Sequence, residues 1–190
     1  GAANVAQNLK GLGAKPIFVD SEPETWNMCP IALENAIIDR YNVTGKYPKA
    51  IIPVHLYGMP AKMDEIMAIA NKYNVPLIID DRVDVALAID AEGVHAGAND
   101  MPVAIARKLM GKNKIVGATA KTVPWAMEAY EQGADYLGVG AIYPTTTKVK
   151  TILTSTDTLR DICNVVPIPV NAIGGLNKDN MDVLEGIPLA

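Results

Sequence analysis

Along the 190-residue chain, a stretch of helical periodicity followed by a short apolar run recurs again and again. The apolar runs at 16–20, 50–56, 76–80, 93–97, 115–120, 136–142 and 169–174 predict strands. They are continuously apolar, as expected of parallel strands covered on both faces. Amphipathic stretches at 31–40, 61–73, 83–90, 102–110, 123–132, 156–164 and 178–185 predict the helices between and after them, and 2–12 predicts one more. Asp100 with Pro102, and Thr122 with Pro124, can open helices. Gly111 and Gly133 are placed to stop them. Strict alternation predicts an α/β fold with a parallel sheet and right-handed crossovers. The expected layout is a barrel-like, TIM-type arrangement of about seven (β/α) units, with an open doubly wound sheet as the alternative. No Gly/Ser-rich linker or charge run divides the chain, so a single domain over 1–190 is expected.

Composition narrows the function classes. The chain is 49% hydrophobic and only 5% aromatic, so its core must be aliphatic. A formal net charge of −4 gives no electrostatic footprint for nucleic acid or an anionic membrane. The apolar runs are too short to span a bilayer, and no charged-then-apolar leader opens the sequence. A cytoplasmic protein is therefore expected. Cys29 and Cys163 match no metal spacing; counting allows a disulfide, but two buried or bystander thiols are expected in a reducing cytosol.

Three segments carry chemistry in the C-terminal part: DDRVDVALAIDAEGVHAG at 80–97, YLGVGAIYPTTTK at 136–148 and PVNAIGGLNKDN at 169–180. Asp81 ends one predicted strand and Asp100 follows the next, a pair able to share a hard divalent cation with phosphate oxygens. The alternative is that Asp100 caps a helix and Asp81 solvates a loop. Gly174–Gly175 before Asn177 would let backbone N–H groups approach a phosphate, although tight turns use the same pair. His95, in mid-strand, reads as a histidine held by a core hydrogen bond rather than as a base.

Taken in order, these segments resemble thiamine-phosphate synthase, a TIM barrel, from about residue 76 to the end. The resemblance implies joining of a pyrimidine diphosphate to a thiazole phosphate with Mg²⁺. It implies Mg²⁺ ligands at Asp81 and Asp100, and phosphate or pyrophosphate contacts at Thr119, Thr145, Thr147, Lys148 and Gly175. Departures from the family pattern are Asp80 for the usual Asn, Ala96 and Ala98 within Val94–His95–Ala96–Gly97–Ala98, and Asn171 at an apolar strand position. A buried amide there would cost a few kcal/mol without a partner, about the cost of any unpaired buried polar group, so Asn171 should either face a polar mouth or have been placed deliberately. The family's first two strands, with a Gln-x-Arg-x-Lys diphosphate grip, and its last strand are absent from the match. Their loss implies a severe loss of rate.

In the N-terminal part, GAKPIFVDSEPETWNMCPIALENAI at 13–37 and KAIIPVHLYGMPAKMDEIMAIANKYNVPLIID at 49–80 resemble DegT-type sugar aminotransferases, fold-type I enzymes that use pyridoxal phosphate. Asp80 falls where that family pairs an aspartate with the pyridine nitrogen. The cofactor-bearing lysine and the ring-stacking aromatic are not matched, so pyridoxal phosphate is not expected to bind. His55 is expected to be structural, and Trp26 and Met28 to anchor core or loop. The two resemblances meet near 75–84, giving an aminotransferase-derived segment at 1–80 and a synthase-derived segment at 76–190.

The resulting expectation is an engineered fold chimera: no evolved turnover, no intact catalytic set, no required cofactor and at most vestigial Mg²⁺. The alternative is residual thiamine-phosphate-synthase-type transfer, or phosphate and Mg²⁺ binding at the strand ends. An unclosed sheet edge leaves homo-oligomerisation open.

Overall fold

A computed structural model describes residues 17–53, 59–144, 152–177 and 179–189. Helix α1 (Pro30–Thr44) starts on Pro30, whose missing N–H is no loss in a first turn. It stops at Gly45, which adopts φ 69° and donates its N–H to the Tyr41 carbonyl. In α2 (Met63–Lys72), Asp64 and Glu65 occupy the first turn and Lys72 the last, matching the helix dipole. Ile66 and Ala70 of α2 meet Leu33 and Ile37 of α1, with Ile51 and Val75, in one apolar cluster. Met67 turns the other way, into the sheet layer.

The sheet is built from β1 (Ile78–Asp80), β2 (Gly93–Ala96), β3 (Ile115–Ala120), β4 (Tyr136–Val139) and β5 (Val170–Ala172). Helices α3 (Val83–Ala88), α4 (Val103–Met110), α5 (Val123–Glu131) and α6 (Thr156–Val165) alternate with them. All pairings are parallel, and the strands lie side by side in chain order, β1-β2-β3-β4-β5. A doubly wound sheet would reverse its order at a switch point. None occurs, so this is the barrel-type α/β layout, with five strands and no closure among the described residues.

Side chains alternate across each strand. Val94, Val116, Leu137, Val139 and Val170 turn outward to the helices. Leu137, Leu159 and Ile162 are fully buried there, each stabilising by about 1.5–3 kcal/mol. The opposite, concave face carries Asp80, His95, Thr119, Tyr136 and Asn171 among glycines. Asn171 is exposed on that face, consistent with the polar mouth its type requires.

Three expectations change. Residues 17–20 and 50–53 form no strand, and 54–58, with His55, lie outside the described residues. Pro53 has no N–H for a ladder, and Ile17 and Phe18 are exposed instead of packed; only Ser21 makes a bridge, antiparallel to Met28. The helix expected at 178–185 is a single 3₁₀ turn, Met181–Leu184. Trp26 is an exposed residue at φ 62°, not an anchor, whereas Met28 does pack on the α1–α2 cluster. The expected helix at 2–12 falls outside the described residues.

Candidate active site

Parallel strands end on one rim of the sheet, and the chemistry-bearing residues gather there. Asp81 follows β1 directly: its N–H donates to the His95 carbonyl at 2.8 Å, and it adopts φ 63°. A non-glycine residue in this left-handed region is unusual and recurs at functional sites. Asp100 follows β2 after a turn closed by its own N–H on the Gly97 carbonyl at 3.2 Å. Helix α4 has Pro102 at its N-cap and no side-chain capping bond. The reading of Asp100 as a helix cap is therefore not what the structure adopts.

Gly97 brings the two aspartates together. A Cβ on Gly97 would collide with Asp100 Oδ2 and stand 3.5 Å from Asp81 Oδ1. The absent side chain leaves a cradle flanked by two carboxylate oxygens, a donor set that suits a hard cation completed by phosphate and water oxygens. Among the described residues no group of three or more His, Cys, Asp or Glu could hold a metal.

Further along the rim, the loops after β4 and β5 knit together. Ile142 donates to the Ile173 carbonyl at 3.0 Å and Tyr143 to the Gly174 carbonyl at 3.0 Å. Gly175, at φ 66°, runs so close that a Cβ would meet Tyr143 Cβ at 2.6 Å and the Pro144 carbonyl at 2.7 Å. Asn180 then donates from Nδ2 to the Gly175 carbonyl at 3.0 Å. Thr145, Thr147 and Lys148 lie outside the described residues.

Thr119 stands near the end of β3 with Oγ1 3.0 Å from His95 Nε2, and His95 Nδ1 lies 3.0 Å from the Tyr136 hydroxyl. His95 is thus held by hydrogen bonds, as its mid-strand position suggests. Burial, reinforced by the charge of Asp80, pushes the Tyr136 phenol above its ordinary pKa. Asp80 itself is exposed at the end of β1. Sequence reasoning missed Tyr136 and Gly97. Tyr136 reveals its role through register, with Gly117 opposite it and the Gly117 Cβ position filled by the tyrosine ring, and Gly97 through the approach of the two aspartates.

The family model described as Thiamine monophosphate synthase matches residues 58–186. A second, described as the DegT/DnrJ/EryC1/StrS aminotransferase family, matches 2–100. Thiamine-phosphate synthase 2 of Streptococcus pneumoniae serotype 4 is 55% identical over 126 residues, covering 66% of this chain and 60% of its own. Thiamine-phosphate synthase of Clostridium beijerinckii is 46% identical over 156 residues, 82% of this chain and 73% of its own. Among solved structures, thiamine phosphate pyrophosphorylase from Pyrococcus furiosus superposes with a TM-score of 0.57 at 40% identity, over 66% of this chain and 60% of that one. A FabK mutant structure from Thermotoga maritima, at 20% identity and a TM-score of 0.52, shares the fold alone. The chain spans about 60% of the length of the first of these curated relatives.

These matches correct the expectation of an engineered chimera without turnover. The matched stretch is 40–55% identical to natural proteins named as thiamine-phosphate synthase or pyrophosphorylase, so neither design nor lack of catalysis is supported. The two family matches overlap from 58 to 100, a range that includes the meeting point expected near 75–84. No helix among the described residues is long and apolar enough to cross a membrane.

Proposed function

The chain belongs to the thiamine monophosphate synthase family, and on that basis we propose that it is a transferase of the thiamine-phosphate-synthase type, binding phosphate- and diphosphate-bearing substrates at the C-terminal rim of its sheet. The observation that carries this reading is the approach of Asp81 and Asp100 across the side-chain-free Gly97. These two carboxylates would hold Mg²⁺, which when bound neutralises diphosphate charge. The chain's own groups do the rest. Thr119, Thr145, Thr147 and Lys148 would donate to phosphoryl oxygens, stabilising charge as a leaving group departs. The Gly174–Gly175 turn, held to the Tyr143–Pro144 backbone, would offer main-chain N–H groups at close range.

The same reading treats 1–190 as one α/β unit, with an aminotransferase-like segment at 1–80 and a synthase-like segment at 76–190. Asp80 serves no pyridoxal role in it, since no cofactor-bearing lysine or ring-stacking aromatic is matched. Calorimetric titration of pyrophosphate in the presence of Mg²⁺ tests the proposal. Measurable heat of binding that Asp81→Ala and Asp100→Ala each abolish is the expected result. Heat equal to a buffer blank in the unmutated chain refutes it.

A further inference from the structure

The concave face carries a hydrogen-bonded row that runs inward from the phosphate rim. Register sets His95 of β2 beside Gly117 of β3, and Thr119 beside Gly138 of β4. Both glycines make room for it. Tyr136 fills the space of a Gly117 side chain, and a Cβ on Gly138 would press on His95 Cε1 at 3.3 Å. Three side chains from three strands are thereby lined up: Tyr136 hydroxyl to His95 Nδ1 at 3.0 Å, and His95 Nε2 to Thr119 Oγ1 at 3.0 Å.

We propose that Tyr136 and His95 are positioning residues that turn the Thr119 hydroxyl proton toward a bound phosphoryl oxygen. The inference rests on the reading of the rim as a phosphate site, and it follows from counting protons. A neutral imidazole donates from one nitrogen and accepts at the other. Burial and Asp80 both favour a Tyr136 that keeps its proton, and His95 Nδ1 is the acceptor its hydroxyl meets at 3.0 Å. As donor, Tyr136 makes Nδ1 the acceptor and leaves the imidazole proton on Nε2. That proton is given to Thr119 Oγ1, which then has its own hydrogen free for an anion. With the opposite tautomer, Thr119 would spend its hydrogen on His95 and present only lone pairs, which repel phosphate. The row therefore converts one tautomer choice, made beneath the rim, into a donor at the rim.

Long-range ¹H–¹⁵N imidazole spectra at about pH 8, where an ordinary histidine is neutral, read the tautomer without any ligand. The chain has two histidines, and His55→Gln assigns the remaining signals to His95. The expected result is the Nε2–H tautomer, shifting to a mixture in Tyr136→Phe. Pyrophosphate with Mg²⁺, titrated into the same proteins, should bind about tenfold more weakly to Thr119→Val and to Tyr136→Phe, with Thr119→Ser restoring affinity. An Nδ1–H tautomer in the unmutated chain, or Tyr136→Phe with unchanged tautomer and affinity, overturns the positioning role. No pyrophosphate binding by the unmutated chain instead overturns the phosphate-site reading, and with it the phosphoryl end of the row.

Discussion

Gly97 works by what it lacks. Its missing side chain is the space that the Asp100 carboxylate occupies, with Asp81 Oδ1 alongside. Gly97→Ala should push the exposed, mobile-ended Asp100 side chain aside with little cost in stability, yet weaken Mg²⁺-dependent pyrophosphate binding about 10–100-fold. Calorimetry beside a urea melt separates the two effects. Gly175 differs, because an added Cβ there meets carbonyl oxygens rather than a flexible tip and φ is already positive. Gly175→Ala should cost about 1–3 kcal/mol of stability, read from the urea midpoint. The aspartates were legible in the sequence because a carboxylate after each of two successive strands is a local pattern. Tyr136 was not: nothing in YLGVG says which neighbouring residue its ring will cover until register pairs it with Gly117.

At the next scale, the N-terminal edge of the sheet is fastened by an arginine. Arg107 of α4 donates to the carbonyls of Gly133 at 2.9 Å, Gly111 at 2.8 Å and Lys114 at 2.7 Å, and also pairs with Asp135. Asp135 accepts the Val116 N–H as well, tying α4, β3 and the start of β4 together. Arg107→Met removes those donors and leaves part-buried carbonyls unpaired, so a loss of about 2 kcal/mol or more is expected in denaturant unfolding. This clamp lies on the side opposite the rim, so pyrophosphate affinity should be unchanged in the folded fraction.

The Glu22 turn predicts an acid response. The Thr25 hydroxyl bond leads, with the N–H groups of Glu24 and Thr25 and the charge of Lys62 adding to it, and together they outweigh burial to lower the Glu22 pKa from 4.5 to about 2. With the folded pKa depressed, the unfolded chain binds more protons through this window. The turn's contribution is full above about pH 4.5 and is lost as pH falls toward about 2. Arg82 lowers Asp84 to about 2 in the same way. Thermal melts over this range should show Glu22→Gln with a flatter acid limb than the parent, although Asp84 keeps part of the slope. Helix ends such as Thr122, which accepts the Trp125 N–H at 3.4 Å, were legible because caps are local. The runs at 16–20 and 50–56 read as strands because they are apolar, but a strand also needs a neighbour, and the described parts of those runs pair with no strand of the sheet.

For the whole molecule, alternation of helices and strands fixed the class, but strand number and order came only with the pairings. Sequential order identifies the barrel layout, while five strands leave the outer edges of β1 and β5 unpaired among the described residues. Such edges template association, so sedimentation velocity should detect concentration-dependent self-association that β1-edge lysine substitution at Ile78 suppresses. The overlap of two family matches at 58–100 also has a physical basis, since a helix followed by a parallel strand, here α2 and β1, satisfies either pattern.

The central claim is that the rim formed by the ends of β1 and β2 holds a divalent cation with a diphosphate. Anomalous diffraction from crystals soaked with Mn²⁺ and pyrophosphate tests it most directly. The account predicts one strong peak about 2.0–2.3 Å from carboxylate oxygens of both Asp81 and Asp100, beside diphosphate density reaching toward Thr119. Mn²⁺ bound elsewhere, with Asp81 and Asp100 ligating nothing, would contradict it.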